Sequence, residues 1–252
     1  MKKIMLFTAL LIGCTMLFTS CGEENKEKET KAQIATFDDQ WEGYFSYTFN
    51  ADGKPTQIVR REEGDATSPV SATYTFAYDG ATLIVTVAKM GEEPYQWAEI
   101  HFGANGYVSS FKDEWETYSY TYNADGNITS CDRDGTARGT VTYSDGDLIT
   151  FTRPADDGGW EPKTHTYTAD LNAEGIHNIY FERIGAPRWL VETGLFGKPT
   201  KHLCATSKWQ TSETTSNYTY AIDSKGRVVR ETKMYGNDPE VYEYTWNEIE
   251  VK

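Results

Sequence analysis

The chain has 252 residues, with 38 Asp and Glu against 24 Lys and Arg, a formal charge of −14 and 38% apolar content. That length is ample for one sizeable core, and the acidic balance argues against a nucleic-acid or anionic-lipid binder, since both need a positive surface. The same surplus suits solvation, a cationic partner or divalent cations.

The first residues read as an address rather than as fold. Met1-Lys2-Lys3 is a short basic lead, and 4–18 is almost wholly apolar but too short and too terminal for a comfortable transmembrane helix. Leu17-Phe18-Thr19-Ser20-Cys21 resembles the bacterial lipobox. The resemblance implies a lipoprotein signal peptide over 1–20 and acylation of Cys21, with the membrane as partner through that anchor. No aromatic or β-branched residue follows until Thr30, so 21–36 is expected to be the acylated cysteine and a disordered tether. Glu23-Glu24 resembles the export signal of Bacteroidetes lipoproteins, which implies a lipid-anchored place in the outer membrane. The expected address is the cell surface, with the periplasmic face as the alternative. Loss of Lys2 and Lys3 with the signal takes the charge from −14 to −16. Cys14 leaves too, and the spacing of Cys131 and Cys204 leaves open a disulfide or two separate buried thiols.

From 37 to 252 the chain reads as a single domain of hairpins. Phe45, Tyr47 and Phe49 alternate along 43–50, which turns at Asn50-Ala51-Asp52-Gly53 and returns through 57–61. A loop over 62–69 leads to Tyr74, Phe76 and Tyr78, a turn at Asp79-Gly80, and the β-branched run 83–87. Segment 97–102 turns at Ala104-Asn105-Gly106. Tyr118, Tyr120 and Tyr122 turn at Asn123-Ala124-Asp125-Gly126, and 141–143 turns at Asp145-Gly146 into 148–151. At a period of two each stripe shares one strand face, and the Asp-Gly and Asn-Gly steps are hairpin signals. Turn glycines 53, 80, 106, 126 and 146 lie 27, 26, 20 and 20 residues apart, an imperfect repeat of a unit that cannot bury its own face.

The pattern slackens after Pro154. Segment 163–168 reads as a strand, and the stretch near 187–195 is the one expected helix, with Pro187 suited to its first turn. Segment 197–203 is a loop or a strand entry. Alternation returns in Tyr218, Tyr220 and Ile222, turns at Lys225-Gly226, and closes on Tyr242, Tyr244 and Trp246. The count is about 14 strands. A meander that large is expected to close and hide its edges, with the 43–50 stripe and the final stripe as closing partners. The faces opposite the stripes carry Ser, Thr, Glu and Lys, which excludes a lipid-facing porin band. The expected fold is therefore all-β, a large soluble antiparallel meander β-barrel over 37–252.

The Tyr-x-Tyr-Asn-Ala-Asp-Gly and Tyr-x-Phe-x-Tyr-Asp-Gly units, the segment Gly-Leu-Phe-Gly-Lys-Pro-Thr-Lys-His-Leu (194–203), and the closing Asp-Ser-Lys-Gly-Arg-Val-Val and Tyr-Glu-Tyr-Thr-Trp (223–246) resemble a Bacteroidetes lipoprotein family of unknown function. That family has a porin-like fold. The resemblance spans roughly 41 to 250; it implies a large β-barrel and carries over no catalytic residue.

No Gly-x-Ser-x-Gly elbow, His-Glu-x-x-His or phosphate-cradling loop occurs, and His101, His165, His177 and His202 are dispersed, so no cofactor or metal is expected. Asp132-Arg133-Asp134-Gly135 and Asn123-Ala124-Asp125-Gly126 resemble calcium-loop starts without the downstream bidentate Glu. Asp38-Asp39, Glu92-Glu93 and Asp156-Asp157 are the carboxylate pairs available to a glycoside hydrolase, although adjacent strand residues face opposite ways.

Seven Trp, 17 Tyr and 11 Phe are the functional hint. They fill a wide barrel or, in part, line a lumen or rim and stack on a glycan or small apolar ligand. Trp97, Trp115, Trp160, Trp189 and Trp209 are the candidates for ligand contact, because they fall at strand ends or in the irregular region. The expected function is a non-enzymatic binding lipoprotein. The alternatives are an interaction lipoprotein accessory to an outer-membrane complex and a carboxylate-dependent hydrolase. Function is expected where the repeat breaks down, between 154 and 209.

Overall fold

The computed structural model of the chain describes residues 30–62, 65–155, 158–173, 175–177 and 184–250. The signal peptide, Cys21 and the pair Asp156-Asp157 lie outside the described residues.

Among the described residues the strands are β1 (Thr30–Asp39), β2 (Gly43–Phe49), β3 (Pro55–Arg61), β4 (Val70–Asp79), β5 (Thr82–Lys89), β6 (Tyr95–Phe102), β7 (Val108–Lys112), β8 (Thr117–Tyr122), β9 (Ile128–Arg133), β10 (Thr136–Ser144), β11 (Asp147–Pro154), β12 (Trp160–Leu171), β13 (His202–Trp209), β14 (Ser216–Ile222), β15 (Val228–Tyr235) and β16 (Asp238–Glu250). Helix α1 (Arg188–Val191) lies between β12 and β13, within the expected 187–195. Each strand pairs antiparallel with its chain neighbours, and β1 pairs with β16, so the sheet closes without an edge.

The described barrel has 16 strands. β1 begins inside the stretch 21–36 that composition assigns to the tether, and β13 begins within the 197–203 segment read as a loop or a strand entry. Neither alternates cleanly. Ile34 and Phe37 are both buried at a spacing of three, which the β-bulge between Ile34 and Thr36 permits. In β13 the adjacent Leu203 and Cys204 are both buried, where the register to β12 shifts at Tyr167. Closure is accordingly made by β1 rather than by the 43–50 strand. Phe37 sits opposite Tyr244, with ring centroids 5.3 Å apart, and stacks on Tyr242 at 6.0 Å.

The aromatic stripes turn inward. Phe45, Tyr74, Phe76, Val85, Phe111, Tyr118, Tyr120 and Tyr244 form one continuous core with the other buried apolar residues. Outside, hydroxyls pair across strands: Thr36 with Thr245 at 2.7 Å, Thr121 with Ser130 at 2.7 Å and Thr166 with Thr206 at 2.7 Å. Such an exterior is the reverse of the apolar band that a membrane-spanning barrel presents to lipid. Cys131 and Cys204 are separate buried thiols.

An antiparallel meander sends its connections alternately to the two ends of the barrel. The glycine turns at 53, 80, 106, 126 and 146, with Gly226, all fall at one end, here the foot, which also receives the start of β1. The sequence repeat is thus a repeat of hairpins, one foot turn each. The opposite end, the mouth, carries connections of varied length, and Trp41, Met90, Trp115, Trp160 and Tyr235 are all exposed there.

The described part of the β12–β13 connection forms a plug that packs against the wall inside the lumen. Tyr47 Oη donates to the Trp189 carbonyl at 2.8 Å, Tyr120 Oη donates to the Ile184 carbonyl, and Val108 N–H donates to the Leu195 carbonyl at 3.0 Å. Lys198 N–H returns to the Gly126 carbonyl at 2.9 Å, beside a turn where Gly126 takes φ +88°. At Gly185 a Cβ would stand 2.3 Å from the Tyr118 ring, so only glycine lets the plug approach that wall. The filled lumen explains the aromatic load: most of it is core packing between wall and plug.

Candidate functional site

The lumen has two unlike sides. From β2 to β9 the inward residues are mainly aromatic and aliphatic, whereas β12 and β15 turn Glu161, Lys163, His165 and Glu231 inward, all buried. At the mouth this polar side leaves a cavity of about 250 Å³, lined by Asp39, Trp41, Glu42, Lys163, Arg188, Tyr218, Glu231, Lys233, Glu240 and Tyr242.

Its lip is built by a turn. Asp39 Oδ1 accepts the backbone N–H groups of Trp41 at 2.9 Å and Glu42 at 3.2 Å. The Trp41 side chain is left 74% exposed and Glu42 half-buried. The β7–β8 turn repeats the device, with Asp113 Oδ1 accepting from Trp115 and Glu116 at 2.8 Å each and Trp115 81% exposed. Asp-x-Trp-Glu therefore occurs at 39–42 and 113–116, and Trp160-Glu161 opens β12 with Trp160 exposed and Glu161 buried.

Arg188 of α1 brings the plug into the same cavity. Its Nη2 donates to Glu231 Oε2 at 2.9 Å and to Tyr244 Oη at 2.7 Å, and its Nε donates to Glu192 Oε1 at 3.2 Å. The guanidinium lies 3.8 Å from the Tyr242 ring centre. Burial pushes the Glu231 carboxyl up to about 7, even against the pull of Arg188. Burial also raises Glu42, with Asp39 adding to the effect. Across the cavity Lys233 Nζ donates to Glu240 Oε2 at 2.7 Å, and Tyr242 Oη donates to the same oxygen at 3.1 Å.

His165, 6% exposed on the polar wall, gives the fold an acid limit. Burial, with Lys163 adding, pushes it from 6.5 down to about 3. The native state keeps this imidazole neutral where the unfolded chain takes a proton, so its contribution is complete above 6.5 and is lost as pH falls toward 3. At pH 5 the loss is about 2 kcal/mol, from roughly 1.4 kcal/mol per pH unit below the unfolded value. Glu231 acts oppositely between 4.5 and about 7, so the check is a comparison with the parent. In urea unfolding from pH 8 to 5, His165→Asn is expected to lose less stability; equal slopes would contradict the assignment.

The sequence-predicted tryptophans separate into three positions. Trp97 and Trp189 lie together inside, 5.4 Å apart, at the wall–plug contact. Trp209 is partly buried, with the Arg153 guanidinium 3.7 Å from its ring centre and Lys163 Nζ at 5.1 Å. Trp115 and Trp160 are exposed at the mouth, away from the residues lining the cavity. Of the expected carboxylate pairs, Asp39 reaches the cavity. Asp38 lies on the opposite strand face beside Glu243, and Glu92 and Glu93 are exposed in a turn. The cavity residues that sequence reasoning passed over include Trp41 and Glu42. The recurring Asp-x-Trp-Glu was the available signal.

A second hollow of about 790 Å³ lies at the foot, with Ile34, Phe49, His177, Lys198 and Trp246 among its walls.

No family model and no curated protein matches this chain. Among solved structures it is similar to a porin-like protein from Bacteroides uniformis, at 17% identity and a TM-score of 0.63, over 85% of this chain and 96% of that one. A porin-like protein from Bacteroides vulgatus aligns over 85% of this chain and 99% of its own at 9% identity and a TM-score of 0.34. At 17% identity the Bacteroides uniformis likeness is one of architecture: the chain has the porin-like barrel fold.

Proposed function

We propose that this is a non-enzymatic, lipid-anchored outer-membrane protein that binds a saccharide at the barrel mouth. The observation carrying the reading is the mouth cavity, where carboxylates and cations of the polar wall converge under the exposed Trp41 ring. A sugar offers hydroxyls to such groups and a C–H face to an indole. Anchorage at Cys21 is consistent with this geometry. β1 starts at the foot, so an anchor on the N-terminal side of Thr30 would put the membrane at the foot and the mouth away from it.

Binding is favoured over hydrolysis by the state of the carboxylates. Glu231 Oε2 is held by Arg188, Glu240 Oε2 by Lys233 and Tyr242, and Asp39 Oδ1 by two backbone N–H groups. Glycoside hydrolysis needs two carboxylates that both reach one scissile bond, and of the four lining the cavity only Glu42 is not tied to a cation or a backbone N–H. Titration with mono- and disaccharides, followed by calorimetry and tryptophan fluorescence, tests the reading. Trp41→Ala is expected to weaken binding by roughly ten- to a hundredfold, in line with loss of one stacking contact and its covered area. No heat and no fluorescence change with any sugar would sink it. Release of reducing ends on incubation with oligosaccharides would replace it with the hydrolase alternative.

The exposed Trp115 and Trp160, spread around the same rim, favour a second reading in which the mouth also docks on a macromolecular partner of an outer-membrane complex. Cross-linking in intact membranes that gives identical products for the parent and for Trp115→Ala with Trp160→Ala would count against it.

A further inference from the structure

The mouth cavity is unevenly satisfied. Its cations are committed: Arg188 to Glu231, Glu192 and Tyr244, Lys233 to Glu240, and Lys163 to its place over the Trp209 ring. Two carboxylate oxygens are not. Glu231 Oε1 and Glu42 Oε2 are shut off from the surface and have no hydrogen-bond partner in the protein, and both residues line the cavity. Glu231 is 0% exposed. When ionised, each oxygen only accepts and calls for a donor, and a cation bound there would hold both carboxyls ionised against the burial that raises them.

Charge points the same way. Five carboxylates, Asp39, Glu42, Glu192, Glu231 and Glu240, stand at or against the cavity with four cations, Arg60, Lys163, Arg188 and Lys233, and the whole chain carries −14. Such a surplus draws cations toward the mouth. The exposed indole of Trp41 at the lip adds a face that attracts a cation as well as a sugar ring. An anionic or uncharged ligand would leave the two orphan acceptors either repelled or met only by neutral hydroxyls.

We propose that the ligand of the mouth cavity carries an ammonium group seated against the carboxylates of Glu231 and Glu42, with its carbon skeleton against Trp41. The class is a small amine-bearing polyol, of which an amino sugar is the simplest form. The inference rests on the reading of the mouth as a saccharide site and narrows it. Glu231 has a structural duty toward Arg188, whereas Glu42 Oε2 has no hydrogen bond to lose and its carboxylate is tied to Arg60 and Arg188 only through longer-range attraction.

Calorimetry on the intact protein at pH 7 and low salt, with glucosamine, glucose, N-acetylglucosamine and methylammonium as probes, tests it. Glucosamine is expected to bind roughly tenfold or more tightly than glucose or N-acetylglucosamine, the gain of charge-assisted over neutral hydrogen bonds. Glu42→Gln is expected to remove roughly tenfold of the glucosamine affinity and to weaken glucose by less, so that the preference for glucosamine narrows. Glu231→Gln is expected to act in the same direction, and if it fails to fold Glu42→Gln still decides. Glucose and N-acetylglucosamine binding as tightly as glucosamine would overturn the ammonium assignment and leave the saccharide reading standing. Methylammonium binding with no sugar bound would support the ammonium assignment and overturn the saccharide reading. Binding of no probe would overturn both.

Discussion

Replacing Arg188 with alanine is expected to destabilise the barrel by about 3–5 kcal/mol, the cost of leaving a buried charge without its partner. Arg188 is the point at which the plug is tied electrostatically to the wall. Its guanidinium serves Glu231 on β15, Tyr244 on β16 and Glu192 just past α1, and it covers the Tyr242 ring. The side chains of Glu231 and Glu192 are 0% and 1% exposed, so water cannot take over when the cation goes. Glu231 already titrates near 7 with Arg188 in place. Without it the carboxyl rises further and escapes its charge by taking a proton. The groups that face it are Arg188 and Glu192 from the plug, Lys233 on β15, Tyr242 and Tyr244 on β16, Tyr218 on β14 and Cys204 on β13. The other cations near it are Lys233, which is held by Glu240, and Lys163 of the same cavity, which lies over the Trp209 ring. The deficit of Arg188→Ala should therefore be larger at pH 8 than at pH 5. Urea unfolding at the two pH values measures it. Arg188→Met combined with Glu231→Gln should recover part of the loss, because both ends of one buried pair are then neutral. A deficit that does not change with pH would mean that Glu231 does not carry the cost.

The wall of this barrel was legible because its strands obey one rule. Tyr118, Tyr120 and Tyr122 alternate without interruption, and the structure buries the first two and packs the third against the core. β1 and β13 break the rule with a bulge or a register shift, and alternation is then a misleading signal. The plug was legible only as a loss of pattern. Its residues satisfy no period because they meet walls on several sides: Phe196 faces Phe111 and Tyr120, while Trp189 faces Phe45, Tyr74 and Trp97. The polar side of the lumen was hidden for a related reason. Glu161, Lys163 and His165 share a face with Tyr167, and a charged stripe reads as solvent-facing until the plug supplies partners for it. Nothing local in β15 marks Glu231 as buried, since its main partner lies 43 residues away in the chain.

The topology also explains why the repeat and the candidate site occupy opposite ends. Foot turns need only reverse a strand pair, and the Asn-Ala-Asp-Gly solution recurs, with Asn50 Oδ1 and Asn123 Oδ1 each accepting two backbone N–H groups. Mouth turns are free to differ, and there the Asp-x-Trp-Glu form uses the same side-chain capping to a different end. The aspartate holds the turn, the tryptophan is pushed outward, and the glutamate is drawn back toward the wall. A loop end that exposes large aromatics on a rigid barrel is where contact with a ligand is mechanically cheapest.

Trp189→Ala is expected to cost about 3–5 kcal/mol, in the range of large aromatic deletions from a packed core. The indole is buried against β2, β4 and β6, with ring centroids 5.6 Å from Phe45, 4.4 Å from Tyr74 and 5.4 Å from Trp97. No neighbouring side chain is placed to refill the space, because those rings are fixed on hydrogen-bonded strands. Trp189→Phe should cost less, since part of the contact survives. The way the loss appears tells how plug and wall are coupled. Arg188 is the next residue in α1, so a plug that lifts away from the wall also removes the guanidinium from the mouth cavity. Hydrogen exchange of the Val108 N–H, which is bonded to the plug carbonyl of Leu195, reports plug release. The N–H groups within the β4–β5 pair report the wall. If the plug opens alone, Trp189→Ala speeds exchange at Val108 and weakens binding at the mouth while β4 and β5 keep their protection. If plug and wall form one cooperative unit, both sets of amides lose protection together and the whole deficit appears in global unfolding. The continuous aromatic contact from Phe45 through Trp189 to Trp97 favours the second outcome, because on that side the plug packs directly on the rings of the wall it would have to leave.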